Sequence, residues 1–144
     1  MRLAIFTCLA ISSVALGQSP LGGVSSEWDV QKLSAQPDEA RPVLDRVAEC
    51  HGSAGVFAVV GYSMGQRALH ELGEARGSFD LEVTHRTPMK VQYSCVADGV
   101  QASTGVSAGK LNLDLVEAPV SEFETIFRDR KTGKQLVFRI RPPF

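Results

Sequence analysis

The sequence predicts an α+β fold in which N-terminal helices pack on a mostly antiparallel sheet within a single domain. Three observations carry this expectation. Apolar residues recur at helical spacing between positions 37 and 72, they alternate with polar residues in later segments, and the last part of the chain reads as two strands around Thr132-Gly133. Helices first and most strands later is the order of an α+β domain. The 144 residues contain no internal repeat or low-complexity stretch.

Before the first helix, Arg2 supplies a short positive region and Leu3 to Ile11 an apolar one of signal-peptide length. Ala15 and Gly17 provide the small residues a signal peptidase accepts, so residues 1–17 are expected to be a signal peptide and 18–36 a polar, flexible mature N-terminus. The apolar run is too short to span a bilayer, and no other run approaches that length. An exported location, periplasmic or secreted, follows as an expectation, with residues 37–144 forming the domain.

From Pro37 to Cys50, Ala40, Val43, Leu44, Val47 and Ala48 keep helical spacing, with Pro42 tolerated in the first turns. A longer helix is expected from Ser53 to Leu72, where Val56, Val60, Met64 and Ala68 form an i, i+4 stripe and Gly73 supplies a cap. Phe79 to Thr84 alternates like a half-buried strand, with Phe79, Leu81 and Val83 on one face. Lys90 to Tyr93 is read as another strand, Ala97 to Thr104 as a short helix closed by Gly105, and Lys110 to Val116 as a strand burying Leu111, Leu113 and Leu115. Glu122 to Arg130 and Lys134 to Arg141 form the hairpin, with Ile126, Leu136, Phe138 and Ile140 on the covered face.

Composition narrows the function. With 15 Lys plus Arg against 16 Asp plus Glu, and Arg2 lost on processing, the chain is slightly acidic, which argues against nucleic-acid binding. Of the three cysteines, Cys8 would leave with the signal peptide. Cys50 and Cys95 remain, in a compartment where thiols oxidise. A bridge between them would close a loop of about 45 residues and stabilise by roughly 4 kcal/mol in the chain-entropy model. The competing reading makes them metal ligands.

Two motifs compete for the middle of the chain. Gly61-Tyr62-Ser63-Met64-Gly65 fits the G-x-S-x-G nucleophile elbow, and Val56 to Val60 would be the strand such an elbow follows. A hydrolase also needs an acid and a histidine downstream on a wide parallel sheet, and only His70 and His85 follow Ser63. On a helix, Gly61 and Gly65 instead leave a smooth face where another backbone can approach.

The second pattern is longer. Cys50-His51-Gly52 leads into Gly61-Tyr62-Ser63-Met64-Gly65 and Ala68-Leu69, followed by Cys95-Val96-Ala97-Asp98-Gly99-Val100-Gln101-Ala102-Ser103-Thr104-Gly105 and Gly109-Lys110-Leu111-Asn112-Leu113. Over about residues 47 to 116 this resembles the FmdE domain family of formylmethanofuran dehydrogenase, with its H-G-H stretch, G-Y-R-M-G helix and C-x-x-D-G-I-Q-x-x-T-G-C-T-x-G-K-x-N block. The resemblance implies an α+β core, often a homodimer, and a divalent metal, commonly zinc, held by histidine and cysteine. Ser53 stands where the family has its second histidine, Val106 where it has a cysteine, and Ser63 where it has arginine.

The metal candidates are therefore His51, Cys95 and Cys50, with His85 as a further donor that would complete a set. Asp98, Gln101, Thr104, Lys110 and Asn112 are candidates for binding a small ligand, Asp98, Gln101 and Thr104 by their helical spacing and Lys110 toward an anion. Plainer roles compete: His51 or Asp98 as caps, Thr104 in a turn, Lys110 paired with a carboxylate. Three functional readings follow. One is a divalent-metal-binding domain, and another a metal-free, disulfide-stapled module for a small ligand or protein partner. The third is an enzyme using Cys95 or His51 near Asp98 and Lys110. No independent catalytic activity is expected, and the redox chemistry of the complex that names the family is not carried by this chain.

Overall fold

A computed structural model describes residues 37–139. The expected signal peptide 1–17, the stretch 18–36 and Ile140 lie outside the described residues. Helices α1 (Pro37–His51) and α2 (Val56–Leu72) precede strand β1 (Leu81–Thr87), helix α3 (Val91–Thr104) and strands β2 (Leu113–Glu117), β3 (Glu124–Asp129) and β4 (Gln135–Arg139). The sheet order is β2-β1-β3-β4, with β1 parallel to β2 and the other pairs antiparallel. The α+β expectation is met.

The parallel pair explains the clearest departure from the expected elements. Parallel neighbours need a long crossover, and α3 supplies it. Lys90 to Tyr93, read from its β-forming residues as a strand, is instead the entrance to α3: Lys90 is the extended N-cap and the helix starts at Val91. Burial of Cys95, Val96, Ala97, Gly99, Val100 and Ala102 then overrides local propensity.

Helix α2 turns a different face inward from the one its large apolar residues suggest. Ala58, Gly61, Gly65 and Ala68 are buried, whereas Val56 is 78% and Val60 39% exposed. The reason is a close helix crossing. A Cβ on Gly61 would fall 2.0 Å from the Val96 carbonyl oxygen, and one on Gly99 would fall 1.8 Å from that of Ala58. The smooth glycine face thus receives α3 of the same chain, so it gives no argument for a homodimer. The continuous helix from 56 to 72 also removes the nucleophile elbow, because no strand and no sharp turn surround Ser63.

The core lies between these helices and one sheet face, centred on Leu81, Val83, Val96, Val100, Val106, Leu113 and Phe127. Strand β1 runs to Thr87, beyond the expected end at Thr84, burying Leu81, Val83, His85 and Thr87 in alternation. Phe79 precedes the strand and is 66% exposed. In β3 the covered residue is Phe127 rather than Ile126. Phe127 pairs with Leu136, while Ile126 pairs with Val137 on the other face. Leu111 is not a strand residue either: it sits at φ 53 after the turn Ala108–Lys110 and is 81% exposed. Leu115 is also exposed, as a residue of the edge strand β2.

His85 is fully buried beneath the sheet, edge-on to Phe123 at 5.0 Å. A carbonyl can only accept, so Nε2–H donates to the Tyr93 oxygen at 3.3 Å and Nδ1 accepts from the Thr125 hydroxyl at 2.9 Å. Burial holds its pKa below the ordinary imidazole value of 6.5, against the opposing pull of backbone carbonyls. The unfolded chain therefore binds a proton more readily than the native one below that value. Stability is complete above it and declines as pH falls toward the lower folded pKa. Urea midpoints measured from pH 7.5 to 5 should fall for the wild type, and His85→Gln should flatten that part of the profile.

Candidate functional site

The site forms where the last turn of α1 meets the first half of α3. Cys50 and His51 end α1, and Gly52 at φ 86 turns the chain toward α2. Cys95 and Asp98 lie three residues apart on α3, on neighbouring turns of one face. Val47 of α1, Ala58 of α2 and Cys95 of α3 make a small apolar cluster that ties the three helices together, with Phe57, Val59 and Tyr62 around it.

This packing brings His51 Nδ1 to 2.7 Å from Asp98 Oδ2. A carboxylate accepts, so Nδ1 carries the proton and donates. The histidine side chain is 18% exposed and the aspartate 46%, so the pair is reachable from solvent. The other ring nitrogen, Nε2, lies beside Gly55, the extended N-cap of α2, where a Cβ would stand 3.5 Å from it. Cys95 is buried and its Sγ donates to the Val91 carbonyl at 2.7 Å, while Cys50 is exposed. Burial pushes both thiols above the ordinary cysteine range, and the charge of Asp98 pushes each further. One carboxylate therefore acts on both sulfurs and binds the imidazole. Both cysteines are free thiols.

Of the remaining candidates, Thr104, Asn112 and Lys110 lie at the end of α3 and the turn after it and are hydrogen-bonded into the fold. Thr104 is fully buried, its hydroxyl donating to the Val100 carbonyl at 2.7 Å and accepting from Val106 N–H. Asn112 is also fully buried: Oδ1 accepts from Ser107 N–H, and Nδ2 donates to the Leu81 carbonyl. Lys110 Nζ donates to the carbonyls of Gly105 at 2.9 Å and Gly77 at 3.1 Å and lies 5.0 Å from the Phe79 ring centre. That places a cation at the negative end of α3, which suits the helix dipole. Gln101 is half-buried and its carbonyl accepts the capping N–H of Gly105. Of the five small-ligand candidates, Asp98 is the one joined to the metal candidates.

His85 has both ring nitrogens engaged in the core and cannot complete a ligand set without unmaking those bonds. Val106, at the position of a family cysteine, is fully buried in the apolar core beyond the Gly105 cap of α3. Among the described residues, no three His, Cys, Asp or Glu side chains converge into a group that would hold a metal ion. What sequence reasoning missed is the reach of Asp98 to His51 across 47 positions and the place of Gly55 beside the ring. The i, i+3 spacing of Cys95 and Asp98 signalled a shared face; nothing local signalled the histidine opposite it.

Two helices crossed at glycine contacts, a third laid over their entrance and a four-stranded sheet beneath define a small α+β domain with an imidazole–carboxylate corner. The family model described as "FmdE, Molybdenum formylmethanofuran dehydrogenase operon" matches residues 50–143, and the chain belongs to that family. No curated protein matches it. No helix among the described residues is long and apolar enough to cross a membrane.

Proposed function

We propose that this chain is an FmdE-type divalent-metal-binding domain, with a preference for zinc, an incomplete protein ligand set and no independent catalysis. The observation that supports it best is the His51–Asp98 bond. Metal-ligating histidines characteristically donate their second ring N–H to a carboxylate, as His51 does here. One imidazole and two sulfurs fit a borderline-soft ion in kind. In number they fall short of a closed four-ligand structural site, which suits an accessible, exchangeable ion.

His51, Cys95 and Cys50 are the residues that would hold the metal. Cys50 is exposed, so it can adopt a ligating rotamer without disturbing the core. The ion would supply a Lewis-acid centre with positions open to a small ligand. Asp98 would hold the imidazole in place, and the contact of Val47, Ala58 and Cys95 would keep α1, α2 and α3 in register around it. The expected signal peptide would send the protein out of the cytoplasm, and the family resemblance supports a homodimer.

A native mass spectrum of the full chain, followed by a denaturing one, tests this. The expected result is one zinc per chain, two free thiols and loss of the ion in His51→Ala. A metal-free ion whose chain is two hydrogens light would replace this reading with a disulfide-stapled module for a small ligand or protein partner. The same native mass reports how many copies of the chain assemble.

A further inference from the structure

We infer that the end of the domain carrying Phe79 and Leu111 is a docking surface for an anionic lipid bilayer, with the two apolar side chains entering the headgroup layer and the cations around them facing it. The inference does not depend on the His51 corner. At this end β1 and β2 begin, β3 closes into β4, and the last residue of α3, Thr104, accepts from Gly77 N–H. Phe79 is 66% and Leu111 81% exposed, and both are held firmly. Arg130 Nη1 donates to the Phe79 carbonyl at 3.4 Å and Nη2 to that of Leu111 at 3.0 Å, so one guanidinium ties the two backbones side by side. Lys110, fixed by the Gly77 and Gly105 carbonyls, keeps its ammonium beside the Phe79 ring.

The backbone of Leu111 adds a second observation. It closes the turn Ala108–Lys110 at φ 53 and ψ 38, the one non-glycine residue at positive φ among the described residues. Bulky side chains are disfavoured in this left-handed region, which glycine and asparagine adopt readily. The leucine side chain does not serve the core either, because it stands in solvent. Turn and core would be served as well by glycine, so the side chain has its use outside the fold.

Charge points to the partner. The loops at this end, residues 73–80, 105–112 and 129–134, carry five Lys or Arg against three Asp or Glu, in a chain whose net charge is −1. Cations are thus in surplus where the apolar pair stands. Two side chains are too few for a stable protein interface, which buries about 800 Å² on each partner. A bilayer asks less: apolar tips that pass the headgroups and cations that meet anionic lipid. The contact lies on the membrane and does not cross it.

Co-sedimentation of the mature chain, residues 18–144, tests this with vesicles of phosphatidylglycerol and phosphatidylcholine in equal parts and of phosphatidylcholine alone. The mature chain keeps the apolar stretch 3–11 out of the comparison. The wild type should prefer the anionic vesicles by roughly thirtyfold, as two surplus cations imply, and high salt should reduce that preference. Leu111→Gly and Leu111→Asn, both suited to the left-handed turn, should each weaken binding about tenfold at an unchanged urea midpoint. Phe79→Ser should weaken it by a similar factor.

Equal binding of the wild type, Leu111→Gly and Phe79→Ser would overturn the inference, as would a wild type that stays in the supernatant at millimolar anionic lipid. If the chain ignores vesicles and the same two residues anchor an acidic protein, the surface is a protein interface and the lipid assignment falls.

Discussion

Gly99→Ala is expected to destabilise the protein by about 3 kcal/mol, although alanine is the better helix former. The propensity gain is about 1 kcal/mol. Against it stands a Cβ placed 1.8 Å from the Ala58 carbonyl oxygen and 2.6 Å from the Tyr62 nitrogen. Both obstacles are backbone atoms, so no rotamer change relieves them, and the helices must separate. Separation loosens Ala68, Val96 and Val100 in the core together with the Val47–Ala58–Cys95 cluster. Urea unfolding followed by circular dichroism should show a markedly lower midpoint. Gly109→Ala is the control: its nearest neighbour would be Ser107 Oγ at 4.0 Å, and its midpoint should barely move. Equal midpoints for the two variants would mean that α2 and α3 do not cross at backbone contact.

Asn112→Ala should cost a similar amount, about 3 kcal/mol, through polar groups rather than packing. The side chain has no solvent exposure and bonds Ser107 N–H at 3.0 Å and the Leu81 carbonyl at 2.9 Å. Alanine removes the acceptor of one buried donor and a donor to one acceptor, each a loss of about 1–3 kcal/mol, and leaves a small void. Asn112→Asp restores the acceptor for Ser107 but turns a charged oxygen toward the Leu81 carbonyl, so it should rescue nothing. Unfolding midpoints decide the matter. Because Asn112 serves the turn after α3 and not the His51 corner, zinc affinity of the folded variant should match the wild type. A loss of zinc affinity at full stability would make Asn112 a ligand-binding residue after all.

The fold class was legible because helical spacing and alternation survive in α1, β1 and the terminal hairpin, even though single residues such as Leu44, 40% exposed, face outward. Legibility failed where tertiary contact outranks residue type. Val56 and Val60 read as core, yet α2 turns Gly61 and Gly65 inward because only small residues admit the α3 backbone. Ile126 and Phe127 are both apolar, so their sequence does not reveal which faces the helices; the register against Leu136 decides. His85 and Thr87 extend β1 with polar side chains that only a satisfied interior makes acceptable. At the site, the family blocks singled out His51, Cys95 and Asp98, but equal weight went to Thr104, Lys110 and Asn112. Those three are held by the cap and turn after α3, a demand of chain geometry that a motif cannot separate from one of chemistry.

A cobalt(II) titration of the intact, reduced chain, followed by optical absorption, puts the metal site to its sharpest trial. Cobalt takes zinc-type sites and absorbs in the near ultraviolet when a thiolate binds it. Saturation at one equivalent with a thiolate band, and loss of that band in His51→Ala, is the predicted result. No band at stoichiometric cobalt, or a band of full strength in His51→Ala, would contradict a metal site built on His51 at the α1–α3 corner.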